Sequence, residues 1–422
     1  MRLDKWKAFL LSAAVTLYAG HSIASSSEVK SINLQEAIAK TFEYNPALRA
    51  LKYQLKAQDG QIEQASISPG MNLSLDLEDT LGTGAYSGIN NSQVTFSVAW
   101  VLERGIRQSY IDVANANKVL MSSSQKIIQL DAAAETAKRY LVSLAFQSRK
   151  LNADESVKLA EETIKTVEKR VSAGKTPEAE LSRAKAELIR RKLEREDMEH
   201  ELESANRQLA SQWGEVDDLF QRVEGNLLFV PNLPTFEKFK SYIKNNPQFT
   251  QILSNQRLKQ AELDLELKKA KPSWQLSAGL RHYQESGNQA LVGGISIPFG
   301  KGTRNTGRIL EARANLEESS IHESILKVQI ETDLFVLYEK LQHSLHVMET
   351  YREEIIPTLG TALKQTRRAY NLGRYSYLEL RSVQNEVLEA NNALLEASIN
   401  AHENIIEIER ITGVQIAQLN KP

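Results

Sequence analysis

The chain has 422 residues, contains no cysteine and carries a formal net charge of −1 at pH 7, from 52 Lys and Arg against 53 Asp and Glu. This length exceeds one ordinary compact domain, so we expect two units or one elongated unit. The lack of cysteine excludes disulfides, thiolate metal sites, cysteine nucleophiles and a lipid on an N-terminal cysteine, and the interspersed charges argue against a nucleic-acid-binding protein.

The first 24 residues have the pattern of a secretory signal peptide. Arg2, Lys5 and Lys7 precede the apolar run AFLLSAAVTLYAG, and Ser22 and Ala24 follow at small-residue spacing. The apolar run is shorter than the roughly 20 residues that a membrane-spanning helix needs. The sequence therefore predicts an exported protein that is cut after Ala24 and that has no transmembrane helix.

The rest of the chain contains an internal duplication. Asn45-Pro46 in the first half matches Asn246-Pro247 in the second. Each pair opens the same order of elements: a helical run, two alternating stretches, a very long helical run, a glycine-containing turn and a final helix. The predicted signal peptide, first repeat, linker, second repeat and tail are residues 1–24, 25–218, 219–235, 236–413 and 414–422.

Each half contains two stretches in which apolar and polar residues alternate. MNLSLDLEDT places Leu73, Leu75 and Leu77 on one face, and SQVTFSVAWVL, SWQLSAGLRHY and LVGGISIPFG alternate in the same way. Alternation alone is more often seen in a half-buried sheet of a soluble protein. Strands of about ten residues in an exported chain, with no helical layer to cover them, indicate a transmembrane β-barrel instead. Four strands are too few to close a barrel, so several copies must share one.

The helical segments are too long for a globular protein. No proline or glycine interrupts residues 107–172, a run that would measure on the order of 100 Å as a helix. Sparse apolar positions recur at coiled-coil spacing. We therefore predict antiparallel helical hairpins whose tips are the turns at Gly174 and Gly373. Pro177 suits the first turn of a returning helix, and Pro357 must kink or interrupt its helix.

This pattern resembles the TolC family of outer-membrane efflux proteins over residues 32–413. The resemblance rests on the duplicated order of elements, the Asn-Pro pairs, the tips VSAGKTPEAEL and YNLGRYSYLEL, and the IIP before the second tip. It implies an α+β membrane protein that forms a homotrimer. Each chain would give four strands to one shared barrel in outer-membrane lipid, and its coiled-coil hairpins would form a periplasmic tunnel. The first tip, RVSAGK, and the missing lipid-modified cysteine are most similar to the cobalt–zinc–cadmium resistance (CzcC-like) branch.

The resulting functional prediction is a channel of the bacterial outer membrane in a tripartite efflux system. It would passively conduct substrates delivered by an inner-membrane RND pump through a periplasmic adaptor (membrane fusion protein), with no cofactor and no enzymatic activity of its own. Divalent heavy-metal cations are the favoured substrates, and drugs, other organic solutes or type I protein secretion are the alternatives. A periplasmic adaptor should have one hairpin between small β domains, and a purely structural coiled coil has no use for Trp100, Trp274 and the alternating strands.

The resemblance also implies roles for residues near the second tip. Glu379 falls on an acidic position that lines the periplasmic constriction in the family, whereas Ser382 stands where the family has a second carboxylate. A ring of Glu379 side chains would attract cations; the alternative is an ordinary solvated carboxylate of a helix. Tyr370 and Arg374 match positions that hold the closed state through contacts between neighbouring helices.

Further candidates lie at the tips and on the strands. We expect both turns to use glycine for a left-handed backbone and to dock the adaptor. The predicted docking residues are Gly174, Lys175, Gly373 and Arg374. Asp76 and Glu78 would face the lumen of the barrel. Glu339, His343 and His346 have a helical spacing that can bind zinc, but this pattern more often marks exposed helix side chains, so no metal centre is predicted.

Overall fold

The computed structural model describes residues 30–103, 105–216, 220–231, 233–298 and 305–414, except for the side chain of Ala85. The predicted signal peptide and all but the first residue of the predicted tail lie outside the described residues.

The described chain repeats one plan: paired helices, two strands and a long helical hairpin. The strands are β1 (Ser31–Ile32), β2 (Asn72–Glu78), β3 (Gln93–Leu102), β4 (Arg222–Val223), β5 (Trp274–Tyr283) and β6 (Gln289–Ser296). The α-helices are α1 (Leu34–Tyr44), α2 (Pro46–Ser66), α3 (Ile106–Ser172), α4 (Glu178–Ala210), α5 (Phe236–Tyr242), α6 (Pro247–Lys269), α7 (Thr306–Thr350), α8 (Ile356–Asn371) and α9 (Tyr377–Thr412). Short 3₁₀ turns occupy Gly84–Tyr86, Ser211–Trp213 and Ile243–Asn245, and a π-helical turn occupies Tyr351–Ile355.

The long helices confirm the prediction made from the missing helix breakers. Helix α3 runs for 67 residues, which corresponds to about 100 Å at 1.5 Å per residue. Its counterpart in the second half is interrupted where Pro357 predicts: the π-helical turn of five residues lies between α7 and α8, and Pro357 follows in the first turn of α8. Proline has no N–H to donate, so a widened turn just before it relieves the clash with the preceding carbonyl.

The duplicated Asn-Pro pairs perform the same task in each half. The Asn45 side-chain oxygen accepts hydrogen bonds from the backbone N–H groups of Ala47 and Leu48, at 2.9 and 3.1 Å, and its amide donates to the carbonyl of Gln212 at 2.7 Å. Asparagine is a preferred N-cap, and proline suits the first helical position. Asn45 therefore starts α2 and ties it to the end of the first repeat.

Asn246 makes the equivalent contacts in the second half. It accepts from the N–H of Gln248 at 2.7 Å and donates to the carbonyl of Ile411 at 2.6 Å, at the end of α9. In both repeats, the asparagine therefore caps one helix and also bonds to a backbone carbonyl near the end of the same repeat.

Four strands form one antiparallel sheet in the order β2-β3-β5-β6. Its register aligns Leu75, Phe96, Leu280 and Leu291 in one row across the sheet. The alternating apolar residues of all four strands consequently share one face. Large side chains on this face are exposed, and Leu291 reaches 88% exposure. The opposite face is mainly polar or small. Strands β2 and β6 are edges of the sheet within the one chain.

The helices pack around two main apolar clusters away from the tips. One contains Tyr140, Leu209 and Trp213, and the other contains Leu334 and Ile408. The connection between the halves lies against the first cluster, because β4 pairs in parallel with β1. The hydroxyl of Tyr140 contacts the Ile32 carbonyl at 3.0 Å and the Glu224 carbonyl, and burial raises the pKa of Tyr140 to about 12.

Candidate functional site: the hairpin tips and the sheet

The two hairpin tips have the same backbone turn. Gly174 and Gly373 both have positive φ, at 65° and 75°. The N–H of Gly174 donates to the carbonyl of Val171, and the N–H of Lys175 donates to the carbonyl of Arg170, both at 2.9 Å. Gly373 and the residue after it make the corresponding pair of bonds at the same distances. These are Schellman motifs, in which glycine is favoured because its left-handed backbone carries no Cβ penalty.

The tips differ in how the returning helix begins. In the second tip, Ser376 and Glu379 form a capping box: the Glu379 carboxylate accepts from the Ser376 N–H at 2.6 Å and from its hydroxyl at 2.9 Å. In the first tip, Pro177 is the residue just before α4 and makes no side-chain cap. The carboxylate proposed for the pore therefore has a structural task in the chain itself, which is to start α9.

Tyr370 joins the two hairpins. Its side chain is fully buried, and its hydroxyl donates to Glu180 Oε2 at 3.4 Å. The guanidinium of Arg170 covers its ring, with Cζ 4.5 Å from the ring centroid, and donates to the backbone carbonyls of Tyr370 and Asn371 at the end of α8. Burial, followed by the negative charge of Glu180, raises the pKa of Tyr370 to about 12, so this phenol stays protonated at physiological pH.

A second junction between the hairpins centres on Glu187 of α4. Its side chain is 9% exposed and lies close to three guanidinium groups: Arg190 at 3.1 Å, Arg191 at 2.9 Å and Arg381 at 2.7 Å. Arg381 belongs to α9, so this ion pair crosses from one hairpin to the other. Arg191 also donates to the Asn385 side chain of α9 at 2.8 Å. Glu187 is the buried carboxylate of this cluster, and the more exposed Glu194 also pairs with Arg191, at 2.9 Å.

The remaining tip residues named from the sequence have fewer contacts. Arg374 and Lys175 are exposed, and within the described part of the chain neither has a carboxylate within 4.0 Å. The Ser382 hydroxyl donates to Glu386 at 3.3 Å, on its own helix. The structure therefore brings Tyr370 to the contact between the hairpins and leaves Arg374 on the surface. The roles of Glu379, Ser382, Tyr370 and Arg374 in the pore and its closed state stay predictions.

Asp76 and Glu78 lie on the polar face of the sheet, opposite the apolar row. Glu78 forms an ion pair with Arg281 of β5 at 2.7 Å. Arg281 also donates to the Thr95 hydroxyl at 2.8 Å and to the Gln93 side chain at 3.0 Å. The Ser74 hydroxyl lies 3.2 Å from Asp76. Both carboxylates thus share the polar face of the sheet, and their place in the lumen of a barrel stays a prediction.

Glu339, His343 and His346 are exposed on α7. Among the described residues, no three or more His, Cys, Asp or Glu side chains are arranged to hold a metal ion. Nor does any helix in the described ranges combine the length and the apolarity needed to cross a membrane.

Arg170 and Glu187 were not identified as sites from the sequence. Arg170 stands in the quoted tip, but its target is a tyrosine 200 residues away. Glu187 is one charge among many on α4, and only the packing of two distant hairpins shows that it is buried. For Glu379 a local signal did exist, since Ser followed three residues later by Glu is the pattern of a capping box.

Comparison with known proteins shows which proteins this chain is similar to. Residues 37–215 match the family described as "Outer membrane efflux protein". Over this range the chain is similar to the outer membrane efflux family. Over 382 residues it is 22% identical to the cobalt-zinc-cadmium resistance protein CzcC of Cupriavidus metallidurans, covering 90% of each chain. It is 26% identical to the nickel and cobalt resistance protein CnrC of the same organism, over 70% of each chain.

The fold of the chain agrees with a solved structure of an outer membrane protein. VceC of Vibrio cholerae superposes with a TM-score of 0.73 at 16% identity, over 91% of this chain and 96% of VceC. The predicted fold class, long helical hairpins joined to a four-stranded sheet, is confirmed, and so is the likeness to the cobalt–zinc–cadmium branch.

Proposed function

We propose that this protein is the outer-membrane channel of a tripartite efflux system and that divalent heavy-metal cations are its substrates. The observation that carries the proposal is the sheet: four strands present one continuous apolar face, exposed in the single chain, and one polar face. The sheet continues into α3, a helix of about 100 Å. Transmembrane β-barrels alternate apolar residues toward lipid and polar residues toward the lumen in this way.

The height of the apolar face matches a membrane. Along β3 and β5, eight residues separate the row of Leu102 and Trp274 from the row of Val94 and His282. At about 3.3 Å per residue this is roughly 26 Å along the strand, or about 20 Å after a tilt of about 40°, close to the apolar band of about 25 Å in outer-membrane barrels. Trp100 and Trp274 lie at the end nearest the helices, where an interfacial aromatic girdle is expected.

We propose that three copies assemble. A single chain leaves β2 and β6 with unpaired edges, and open edges are not tolerated in hydrocarbon. The smallest membrane barrels have about eight strands, so two copies would be a minimum. Three copies give a twelve-stranded barrel, which is wide enough for a water-filled lumen lined by Asp76 and Glu78. The helical hairpins then extend into the periplasm, with the tips facing an adaptor and an RND pump.

The substrate class rests on the named relatives. CzcC is a cobalt-zinc-cadmium resistance protein, and CnrC is a nickel and cobalt resistance protein. We extend their metal class to this chain, and we keep Glu379 as the candidate for an acidic ring at the constriction. The family consists of channel proteins, and we propose no catalytic step.

Three measurements test this function. The purified protein in a planar lipid bilayer should produce discrete conductance steps, and the native protein should fractionate with the outer membrane. A strain lacking it should become sensitive to zinc, cobalt, cadmium or nickel salts. Sensitivity to dyes and antibiotics alone would assign the channel to organic solutes instead. Absence from the outer membrane, together with no conductance, would refute the channel itself.

A further inference from the structure

The tip end of the molecule is strongly basic. Within about ten residues of the two tip glycines, residues 164–185 and 363–384 contain eleven Lys and Arg against four Glu, a net charge of +7. The whole chain has a net charge of −1, so the remaining residues carry −8. The positive charge is therefore concentrated at the end of the molecule farthest from the sheet.

Most of this charge is available to a partner. Eight of the eleven basic side chains are exposed and have no carboxylate within 4.0 Å among the described residues, including Lys175, Arg183 and Arg374. The other three are engaged: Arg367 pairs with Glu162 at 3.6 Å, Arg381 pairs with Glu187, and Arg170 covers the ring of Tyr370.

The second tip adds an apolar element to the basic surface. Leu372, Tyr375 and Leu378 are exposed by 60%, 45% and 62%, all within five residues of Gly373. Large apolar side chains flanked by charges are typical of a protein interface, in which the apolar centre gives affinity and the charged rim gives orientation and speed of association.

We propose that the two tips bind an acidic surface of a protein partner, whose Asp and Glu side chains pair with Lys175, Arg183, Arg368 and Arg374 around the apolar residues of the second tip. The inference rests on the proposed function, which places a partner protein at this end. A protein is favoured over outer-membrane lipid, because α3 holds the tips about 100 Å from the sheet. The attraction between exposed charges must weaken as salt is raised.

Cross-linking can test the chemistry of the partner. The chain has no cysteine, so Ser182→Cys, at an exposed position beside the first tip, gives one site for benzophenone maleimide in the full-length protein in its native host. After irradiation, mass spectrometry identifies the attached peptide. We expect a protein segment with a net negative charge.

The charge itself is tested in the same Ser182→Cys background. We expect the combined variant Lys175→Gln, Arg183→Gln, Arg368→Gln and Arg374→Gln to reduce the yield of cross-link about tenfold, as four lost ion pairs at a rim would do. A matched variant changes four exposed basic residues elsewhere: Arg49→Gln, Lys52→Gln, Arg313→Gln and Lys327→Gln. It should cross-link like the parent. In a charge-swap test, the channel carries Lys175→Glu, Arg183→Glu, Arg368→Glu and Arg374→Glu, which should abolish the cross-link. Changing Glu to Lys in the partner segment should then restore it.

Three results would overturn the proposal: a neutral or basic cross-linked segment, an unchanged yield with the four-residue tip variant, or attachment to an anionic phospholipid instead of a peptide. Circular dichroism of the tip variant checks that a loss of cross-link does not come from unfolding. The conductance of the unmodified protein tests the channel function separately, so failure of the docking inference leaves that function standing.

Discussion

The guanidinium of Arg170 lies over the ring of Tyr370, with its Cζ 4.5 Å from the ring centroid, and the two residues belong to different hairpins. The same guanidinium donates to carbonyls at the end of α8, where the helix dipole favours a positive charge. One side chain therefore provides a cation–π contact and caps a helix. This relationship fixes the two tips against each other within one chain.

Replacing Arg170 should loosen the tips. A partly desolvated cation–π contact contributes about 1–2 kcal/mol, so Arg170→Gln should shift the balance between packed and separated tips roughly 5–30-fold. Spin labels at Ser182→Cys and Leu372→Cys, in labelled chains diluted with unlabelled ones, should report a longer or broader distance distribution. Lys169→Gln, an exposed neighbour, is the control. An unchanged distribution would show that Tyr370 packs without Arg170.

Glu187→Gln should weaken the junction between α4 and α9. It removes the shared carboxylate partner of Arg190, Arg191 and Arg381, and only Arg191 keeps another one, the exposed Glu194. Loss of one partner of a buried pair costs about 3–5 kcal/mol, and the partial exposure of the arginines places the expected cost at or below the lower end of this range. The thermal midpoint should fall. Glu194→Gln, which is 46% exposed, should change it little.

A double variant separates the contribution of charge from that of packing. Adding Arg381→Gln to Glu187→Gln removes one of the unpaired guanidiniums and should recover part of the lost stability. If the two substitutions are simply additive, the ion pair across the hairpins contributes nothing measurable.

Leu75→Arg should impair insertion, whereas Ser74→Arg should be tolerated better. Leu75 lies in the apolar row in the middle of the sheet, and Ser74 lies on the polar face. An arginine that faces lipid at the bilayer midplane costs about 2–4 kcal/mol, while a lumen-facing one stays hydrated. The amount of each variant in the outer-membrane fraction measures the difference. Equal amounts of both would contradict the assignment of the apolar face to lipid.

The stability of the central region should fall in mild acid because of His402. Its Nε2 lies 3.0 Å from the Leu227 carbonyl, and burial lowers its pKa from 6.5. The unfolded chain therefore binds a proton at this residue more readily than the folded chain. The contribution of His402 is fully present above pH 6.5 and is lost as pH falls below it.

His402→Gln should reduce the difference in thermal midpoint between pH 7.5 and pH 5. His346→Gln, at an exposed position on α7, is the matched control and should leave that difference unchanged. A difference that persists in His402→Gln would assign the acid sensitivity to other groups.

Much of the fold could be predicted from the sequence because its signals are local and periodic. The absence of proline and glycine predicted the extent of α3, and the alternation of apolar and polar residues predicted the strands. The two Asn-Pro pairs indicated the duplication. The register of the sheet was beyond this reasoning, since it depends on pairing between strands such as β3 and β5 that lie about 180 residues apart.

The contacts at the tips were harder to predict for a related reason. Tyr370 was identified through a family position, but its partners Arg170 and Glu180 come from the other hairpin. Glu379 was assigned by the same route to the pore, and the structure adds a capping bond to Ser376 that is purely local. Sequence patterns describe one helix at a time, whereas these sites arise where two helices from different repeats meet.

The π-helical turn at Tyr351–Ile355 makes the two hairpins mechanically unequal. The first helix of the first hairpin, α3, runs without a break over 67 residues, whereas the first limb of the second hairpin is interrupted just before Pro357. A widened turn bends more easily than a regular helix. We therefore expect the first hairpin to be the stiffer of the two and the second to bend at its π-helical turn. In the proposed ring of three chains, the unbroken and the interrupted hairpins would alternate around the periplasmic opening. Outward movement of the three interrupted hairpins would widen this opening while the three unbroken ones stay in place.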